Sequence, residues 1–213
     1  MQAFEALMEV ARRLNDPETG CPWDVKQTFA SLQKYILEEA CELIDAVEDD
    51  KDKDLIEELG DLFYVVVFYC KVAERNKRFS MEEVLKQLRE KLIRRHPHVF
   101  GANRCDSMQD VERQWDEIKS QEKKERTSAL DGIPRSLGIL ARAQKVLSKL
   151  LHHDNESLKE VLKQIPQEGS LGEEVLHLIL KAEQEELDIE RLLRQALCKY
   201  EEAFKRIEKT VNL

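Results

Sequence analysis

Glycine and proline are scarce, with seven and five residues in a chain of 213. Beside abundant Leu, Glu and Lys and 36% charged residues, that scarcity reads as an all-helical protein and leaves strands little room. Long apolar runs are missing too. The longest, Leu62 to Cys70, falls well short of the roughly 20 residues that a membrane span needs. Positive charge is in deficit. A formal net charge of −9 excludes a bulk nucleic-acid or membrane-surface binder, since neither polyanion is drawn to it. A small anion carried with its metal remains compatible. Cysteine pairing signals are absent as well. Cys21, Cys41, Cys70, Cys105 and Cys198 are odd in number and widely spaced, without a C-x-x-C, and no apolar signal segment precedes them. The expectation is a reduced, cytoplasmic protein.

What the chain does have is acid written at helical spacing. Glu38-Glu39-x-x-Glu42 and Glu58-x-x-Asp61 each place carboxylates three residues apart, on one face of a helix. Four such groups on two packed helices repel strongly in a partly dry site, so the arrangement makes most sense around a divalent cation. Oxygen-only ligands point to magnesium, with manganese as the alternative.

The helices can be drafted from periodicity. Phe4, Leu7, Met8, Ala11 and Leu14 give a first amphipathic helix over 1–14, stopped by Asp16-Pro17. A loop carrying Trp23 and Asp24 follows. A second helix is expected over 29–47, with Leu32, Ile36, Leu43 and Val47 as its stripe and Tyr35, Glu39, Glu42 and Ala46 along the stripe's edge. A third, over 54–75, lines up Glu58, Asp61, Val65 and Phe68. Its Val65-Val66-Val67-Phe68-Tyr69 run has strand-like composition, but an acidic helical segment leads into it without a turn signal. Antiparallel packing of the second and third helices brings the acid pairs together. Ser80-x-x-Glu83 has the spacing of a capping box and opens a fourth helix that ends before Pro97. Asp106 is expected to cap a fifth, through Trp115 and Ile118.

The charged segment 121–127 marks a division between domains 1–124 and 125–213. Beyond it, helices are expected over 136–152, 171–186 and 188–207. A faint repeat runs through this half. Leu171-Gly172-Glu173 echoes Leu59-Gly60-Asp61, and the segment 188–199 echoes 80–91. The second copy lacks an E-E-x-x-E helix and has Glu202-Ala203 where the first has Arg94-Arg95. A repeat of this kind has lost its site. Glu174-x-x-His177 has the spacing of a di-iron half-motif, but such bundles need two copies and two further glutamates.

Cys21-Pro22-Trp23-Asp24, Gln27-Thr28, the two acid signatures, Lys91-Leu-Ile-Arg94-Arg95-His96-Pro97-His98-Val99-Phe100-Gly101 and Trp115-x-x-Ile118-Lys119 occur in one order. In these motifs the chain resembles the MazG family of nucleoside triphosphate pyrophosphohydrolases, over about 4–123. The C-terminal part is similar to an abbreviated second MazG domain with its acids largely absent. The resemblance implies an all-α, magnesium-dependent enzyme that cuts between the α and β phosphates of a nucleoside triphosphate, giving monophosphate and pyrophosphate. It also implies a homodimer with a four-helix-bundle-like core. Carried over by motif, Glu39, Glu42, Glu58 and Asp61 are the metal ligands, and Glu38 is a nearby acid that ligates or orients water.

The chemistry agrees with the residues. An acidic pocket takes a triphosphate only with cations interposed, and no Ser/His/Asp or reactive-Cys setting offers a covalent route, which leaves metal-activated water. Lys91, Arg94 and Arg95 are suited to phosphate oxygens, the arginines by a planar fork and the lysine as a point charge. Trp115 is the first candidate to stack on the base or close the pocket, with Lys119 in the same motif, and Trp23 is the second. Two other readings compete: a catalytically idle nucleotide-binding or regulatory protein, and a structural helical oligomer whose acids only solubilise it.

Overall fold

The computed structural model describes residues 2–101, 104–105, 107–122, 125, 127–153, 155–166 and 169–211. The fold is all-α, and no strand occurs among the described residues. The chain divides into two compact units, Met1–Ser120 and Gln121–Leu213. In the first, α1 is Gln2–Leu14, α2 Pro22–Val25, α3 Gln33–Asp49, α4 Asp52–Arg75, α5 Met81–Arg95 and α6 Pro97–Phe100, with α7, Met108–Glu122, crossing the division. The second holds α8 Ile139–Leu151, α9 Glu156–Lys159, α10 Leu171–Gln184 and α11 Ile189–Val211, with a 3-10 turn at Leu162–Gln164 before α10. None of the described helices is long and apolar enough to cross a membrane.

The antiparallel hairpin of α3 and α4 organises the first unit. Asp50, at φ 54°, ends α3 in the left-handed region. Asp tolerates that region because its short polar side chain bonds locally. Lys51 is then the N-cap of α4, so the two helices fold directly onto each other. Leu32 of the turn preceding α3 and Phe68 and Val72 of α4 are buried, with Phe29, Tyr35, Tyr64 and Tyr69 packed around them. Helix α1 lies across α4, where the Phe4 and Phe63 rings approach to 6.3 Å.

Three expectations need correction. The loop after α1 contains one helical turn, α2, because Pro22 at its first position has a preset φ and no N–H to lose there. Helix α3 starts at Gln33 rather than near Phe29. Thr28 and Ser31 exchange side-chain and backbone hydrogen bonds (Thr28 N–H to Ser31 Oγ 2.9 Å, Ser31 N–H to Thr28 Oγ1 3.2 Å), which diverts 29–32 into turns. The face of α3 toward α4 carries Tyr35, Glu39, Leu43 and Ala46, whereas Ile36 and Val47 are exposed. Glu39 therefore lies in the packed face, whereas Glu42 of the same line is exposed. The expected cap Asp106 lies outside the described residues.

The capping box forms as read. Ser80 Oγ accepts from the Glu83 N–H (3.2 Å), and the Glu83 carboxylate accepts from the Ser80 N–H (2.7 Å). Ser80→Ala should cost about 1 kcal/mol, measured as a lower urea midpoint with an unchanged m-value.

In the second unit Leu147, Leu162, Ile179 and Leu180 form a small core. Gln144 of α8 ties its helices together, donating to Glu183 (2.9 Å) and to the Leu187 carbonyl (2.7 Å) while accepting from the Ile189 N–H (3.1 Å). The sequence echo of Gly60-Asp61 in Gly172-Glu173 has a different setting. Asp61 is in mid-helix, but Glu173 is the third residue of α10, bound to Ser170 in a second capping box. Those Ser170 hydrogen bonds hold the Glu173 carboxyl below the usual glutamate range. All five cysteines are free thiols.

Candidate functional site

Glu39 on α3 meets Glu58 and Asp61 on α4. Each offers one carboxylate oxygen to a group whose members all lie within 4.8 Å of one another. Residues 58 and 61 share a face of α4 by their three-residue spacing, and the hairpin sets Glu39 opposite them. Burial, followed by the charges of Asp61, Glu42, Glu58 and Glu38, raises the Glu39 carboxyl above the usual range. Burial also raises Glu58, with the charges of Glu42, Asp61, Glu57 and Asp54 behind it. One Glu58 oxygen, Oε2, is buried without a hydrogen-bond partner. Two carboxyls held above their range by neighbouring acids, together with an orphaned oxygen, are what a hard divalent cation relieves. The donor set fits such an ion.

The remaining sequence candidates take different places. Glu42 is outside the close trio, but its charge reaches Glu39 and Glu58. Glu38 is exposed on α3 and acts on Glu39 by charge. Lys91, Arg94 and Arg95 stand near the end of α5, a helix that contacts α4. Trp115, 39% exposed on α7, has the Lys119 ammonium 3.4 Å from its ring centroid, a cation–π contact one turn along the helix. The His98 ring meets Gln114 at 3.2 Å, which joins the two C-terminal motifs of this unit. His96 Nδ1 lies 2.6 Å from the Leu92 carbonyl, one of the last carbonyls of α5.

Trp23, the second aromatic candidate, has neighbours that the sequence did not single out. Trp23, half exposed, sets its ring 5.7 Å from Tyr35 and 6.1 Å from Phe68. Tyr35 precedes Glu39 by one turn, so this aromatic cluster continues the line of the acids. Asp24 is only 7% exposed, and its carboxylate faces the Tyr64 hydroxyl, which has no well-formed hydrogen bond. Burial and then the Asp24 charge push the Tyr64 hydroxyl up to about 12. Arg75, from the last turn of α4, donates to the carbonyls of Gln27 and Asp24. Gln27 in turn donates to the Trp23 carbonyl (3.0 Å) and accepts from Ser31 Oγ (2.6 Å). The only sequence signal was position: Tyr35 and Tyr64 stand four and three residues from Glu39 and Asp61.

Residues 27–100, which contain both acid-bearing helices, match the family model of the MazG nucleotide pyrophosphohydrolase domain. The chain is 35% identical over 234 residues to the nucleoside triphosphate pyrophosphohydrolase of Escherichia coli K12, an alignment covering 99% of this chain and 89% of that protein. The chain belongs to the MazG family. It is also 35% identical over 226 residues to the nucleoside triphosphate pyrophosphohydrolase/pyrophosphatase MazG of Thermotoga maritima, covering 98% of this chain and 87% of the relative. A Mycolicibacterium smegmatis nucleoside triphosphate pyrophosphohydrolase is 39% identical over 153 residues, 70% of this chain and 47% of its own length. The all-α fold of this MazG chain is the one its motifs imply, and the acid trio falls inside the matched segment.

Proposed function

We propose that this chain is a magnesium-dependent nucleoside triphosphate pyrophosphohydrolase, with manganese as an alternative ion, cleaving between the α and β phosphates to give a nucleoside monophosphate and pyrophosphate. The observation that carries the reading is the Glu39–Glu58–Asp61 trio, three carboxylate oxygens within 4.8 Å on adjacent helices of a MazG family chain. In this reading Glu39, Glu58 and Asp61 hold the cation with Glu42, and Glu38 orients water. Bound there, the ion supplies charge screening of the triphosphate, polarisation of the phosphoryl group and activation of the attacking water.

The chain's own residues do the rest. The acids hold open an anionic pocket that admits phosphate only as its cation complex. Lys91, Arg94 and Arg95 hold the leaving pyrophosphate by charge-assisted hydrogen bonds. Trp115, with Lys119 against its ring, covers the base, and Trp23 over Tyr35 and Phe68 offers a second aromatic surface on the acid line.

The reading includes a homodimer. Leu37, Ile44 and Val47 of α3 and Ile56 and Leu59 of α4 are exposed apolar residues, and pairing two α3–α4 hairpins into a four-helix-bundle-like core covers them. It also takes 1–124 as the catalytic domain and 125–213 as a degenerate counterpart, and Glu173, committed to its capping box, supports the loss of a site there. A reduced cytoplasmic setting suits the free thiols.

The test is product identity from a panel of ribo- and deoxyribonucleoside triphosphates, with magnesium and with chelator. Monophosphate plus pyrophosphate, abolished by chelator and by Glu42→Gln, is the expected result. Diphosphate plus phosphate would overturn the cleavage position. No turnover would shift the weight to a nucleotide-binding role.

A further inference from the structure

The neighbours of Trp23 fix where its ring lies. Tyr35 is one turn from Glu39 on α3, and Phe68 is two turns from Asp61 on α4, so the half-exposed indole that touches both stands at the end of the acid line. Along the helix axes these contacts are about 6 Å from Glu39 and about 10 Å from Asp61, a gap that a sugar can bridge between a base and its phosphates. Trp23 rides on α2, a four-residue helix that is not stable by itself. Its hold comes from Arg75. That residue follows Phe68 and Val72 by steps of four and three, on the buried face of α4. Its part-buried guanidinium donates to the Gln27 carbonyl (2.5 Å) and, at the limit of bonding distance, to the Asp24 carbonyl (3.5 Å), where α2 ends. Such charge-assisted bonds to the last carbonyls of a helix are among the stronger ones. Gln27 in turn donates to the Trp23 carbonyl (3.0 Å), so the backbone that bears the indole is tied to α4 through two links. Arg75 itself lies about 21 Å beyond Asp61 along α4, too far to touch the acids or a cation among them.

We propose that Arg75 is a positioning residue for nucleotide binding: it caps α2 from the end of α4 and so holds the Trp23 ring where the base stacks. The inference rests on the nucleoside triphosphate reading above and adds to it a residue that touches neither substrate nor metal. Arg75 governs affinity and leaves the chemical step alone, because a base stack is made equally in the bound and transition states.

The test is a double-mutant cycle in the full chain. Arg75→Met keeps the aliphatic stem and removes the donors, and it should raise KM for the nucleoside triphosphate about ten-fold, as the loss of one base–aromatic stack does, with kcat unchanged. Arg75→Lys, which restores a donor to the Gln27 carbonyl, should recover most of that loss. Lys77→Met, which removes a charge from an exposed site near the same helix end, should lose nothing. Trp23→Ala should raise KM as far as Arg75→Met does, and the two together no further. With Trp115→Phe leaving Trp23 the sole indole, Arg75→Met should also shift Trp23 emission to the red and open the exposed Lys26 to trypsin. The affinities are repeated with an α,β-imido nucleoside triphosphate and magnesium, which needs no turnover. A parent that binds this analogue without hydrolysing the triphosphate would overturn the reaction alone, and the cycle would still decide on Arg75. Effects on KM that multiply in the double variant, a fall in kcat with KM unchanged, or unaltered Trp23 emission and Lys26 cleavage would each overturn the positioning role.

Discussion

In Asp61→Asn, turnover falls by at least about 100-fold, while the chain in chelator melts at a higher temperature than the parent. Both effects have one source. Asp61 supplies an oxygen to a group whose members lie within 4.8 Å, and its charge helps to hold Glu39 and Glu58 above the usual carboxylate range. Asn keeps the shape and removes the charge, so under the proposed reading cation binding should weaken while the repulsion relaxes. Asp61 is exposed, which makes a packing defect a minor concern. The pH dependence follows in sign. Glutamates whose folded-state pKa is raised favour the fold when protonated, and that contribution is lost as pH rises through the raised value. The melting advantage of Asp61→Asn in chelator is therefore larger at neutral pH than at mildly acidic pH. Steady-state rates at saturating cation, with thermal melts at two pH values in chelator, check both halves. Parental turnover, or a lower melting temperature, would remove Asp61 from the site.

Phe68→Ala should cost about 3–5 kcal/mol, a large part of the roughly 5–15 kcal/mol that a domain has in total. Phe68 is 3% exposed and packs against Leu32 and Val72, so truncation leaves a void between α4 and the segment around Leu32. Its ring also supports two others, Tyr64 at 5.8 Å and Trp23 at 6.1 Å. Phe68→Leu separates the roles. It keeps most of the volume, at a cost below about 1.5 kcal/mol, but loses the ring beneath Trp23. Urea titration should show the large loss only in the alanine variant. In the leucine variant, Trp23 fluorescence should shift although the urea midpoint moves little. An alanine variant as stable as the parent would mean that the cluster is not a core.

Much of this was legible in the sequence wherever the deciding interaction is local. Ser80 and Glu83 are three residues apart and need nothing else to form their box. The acids at 58 and 61 share a face by spacing, and continuity carried α4 through its strand-like Val65–Tyr69 run. What escaped depends on partners far along the chain or on side chains competing with the backbone. Thr28 and Ser31 hold their turn by side-chain bonds that periodicity does not register, so α3 starts late. Asp24 meets Tyr64, and Arg75 reaches Gln27, only after the segment from Cys21 to Leu32 has folded back over α4. Ile36 and Val47 were read as core because an apolar residue at helical spacing does not reveal whether its cover comes from the same chain.

The two-residue connection at Asp50 and Lys51 has a kinetic consequence. Glu39, Glu58 and Asp61 lie close in sequence and are joined by a helical hairpin, so the contact order of the site is low and its chain-closure entropy small. The acids should therefore come face to face early in folding. The same economy makes the turn tolerant, because closure cost grows only by about 0.6 kcal/mol per doubling of loop length. Insertions there would preserve the facing carboxylates far better than a one-residue insertion between Glu58 and Asp61, which would rotate the two acids off their shared helix face.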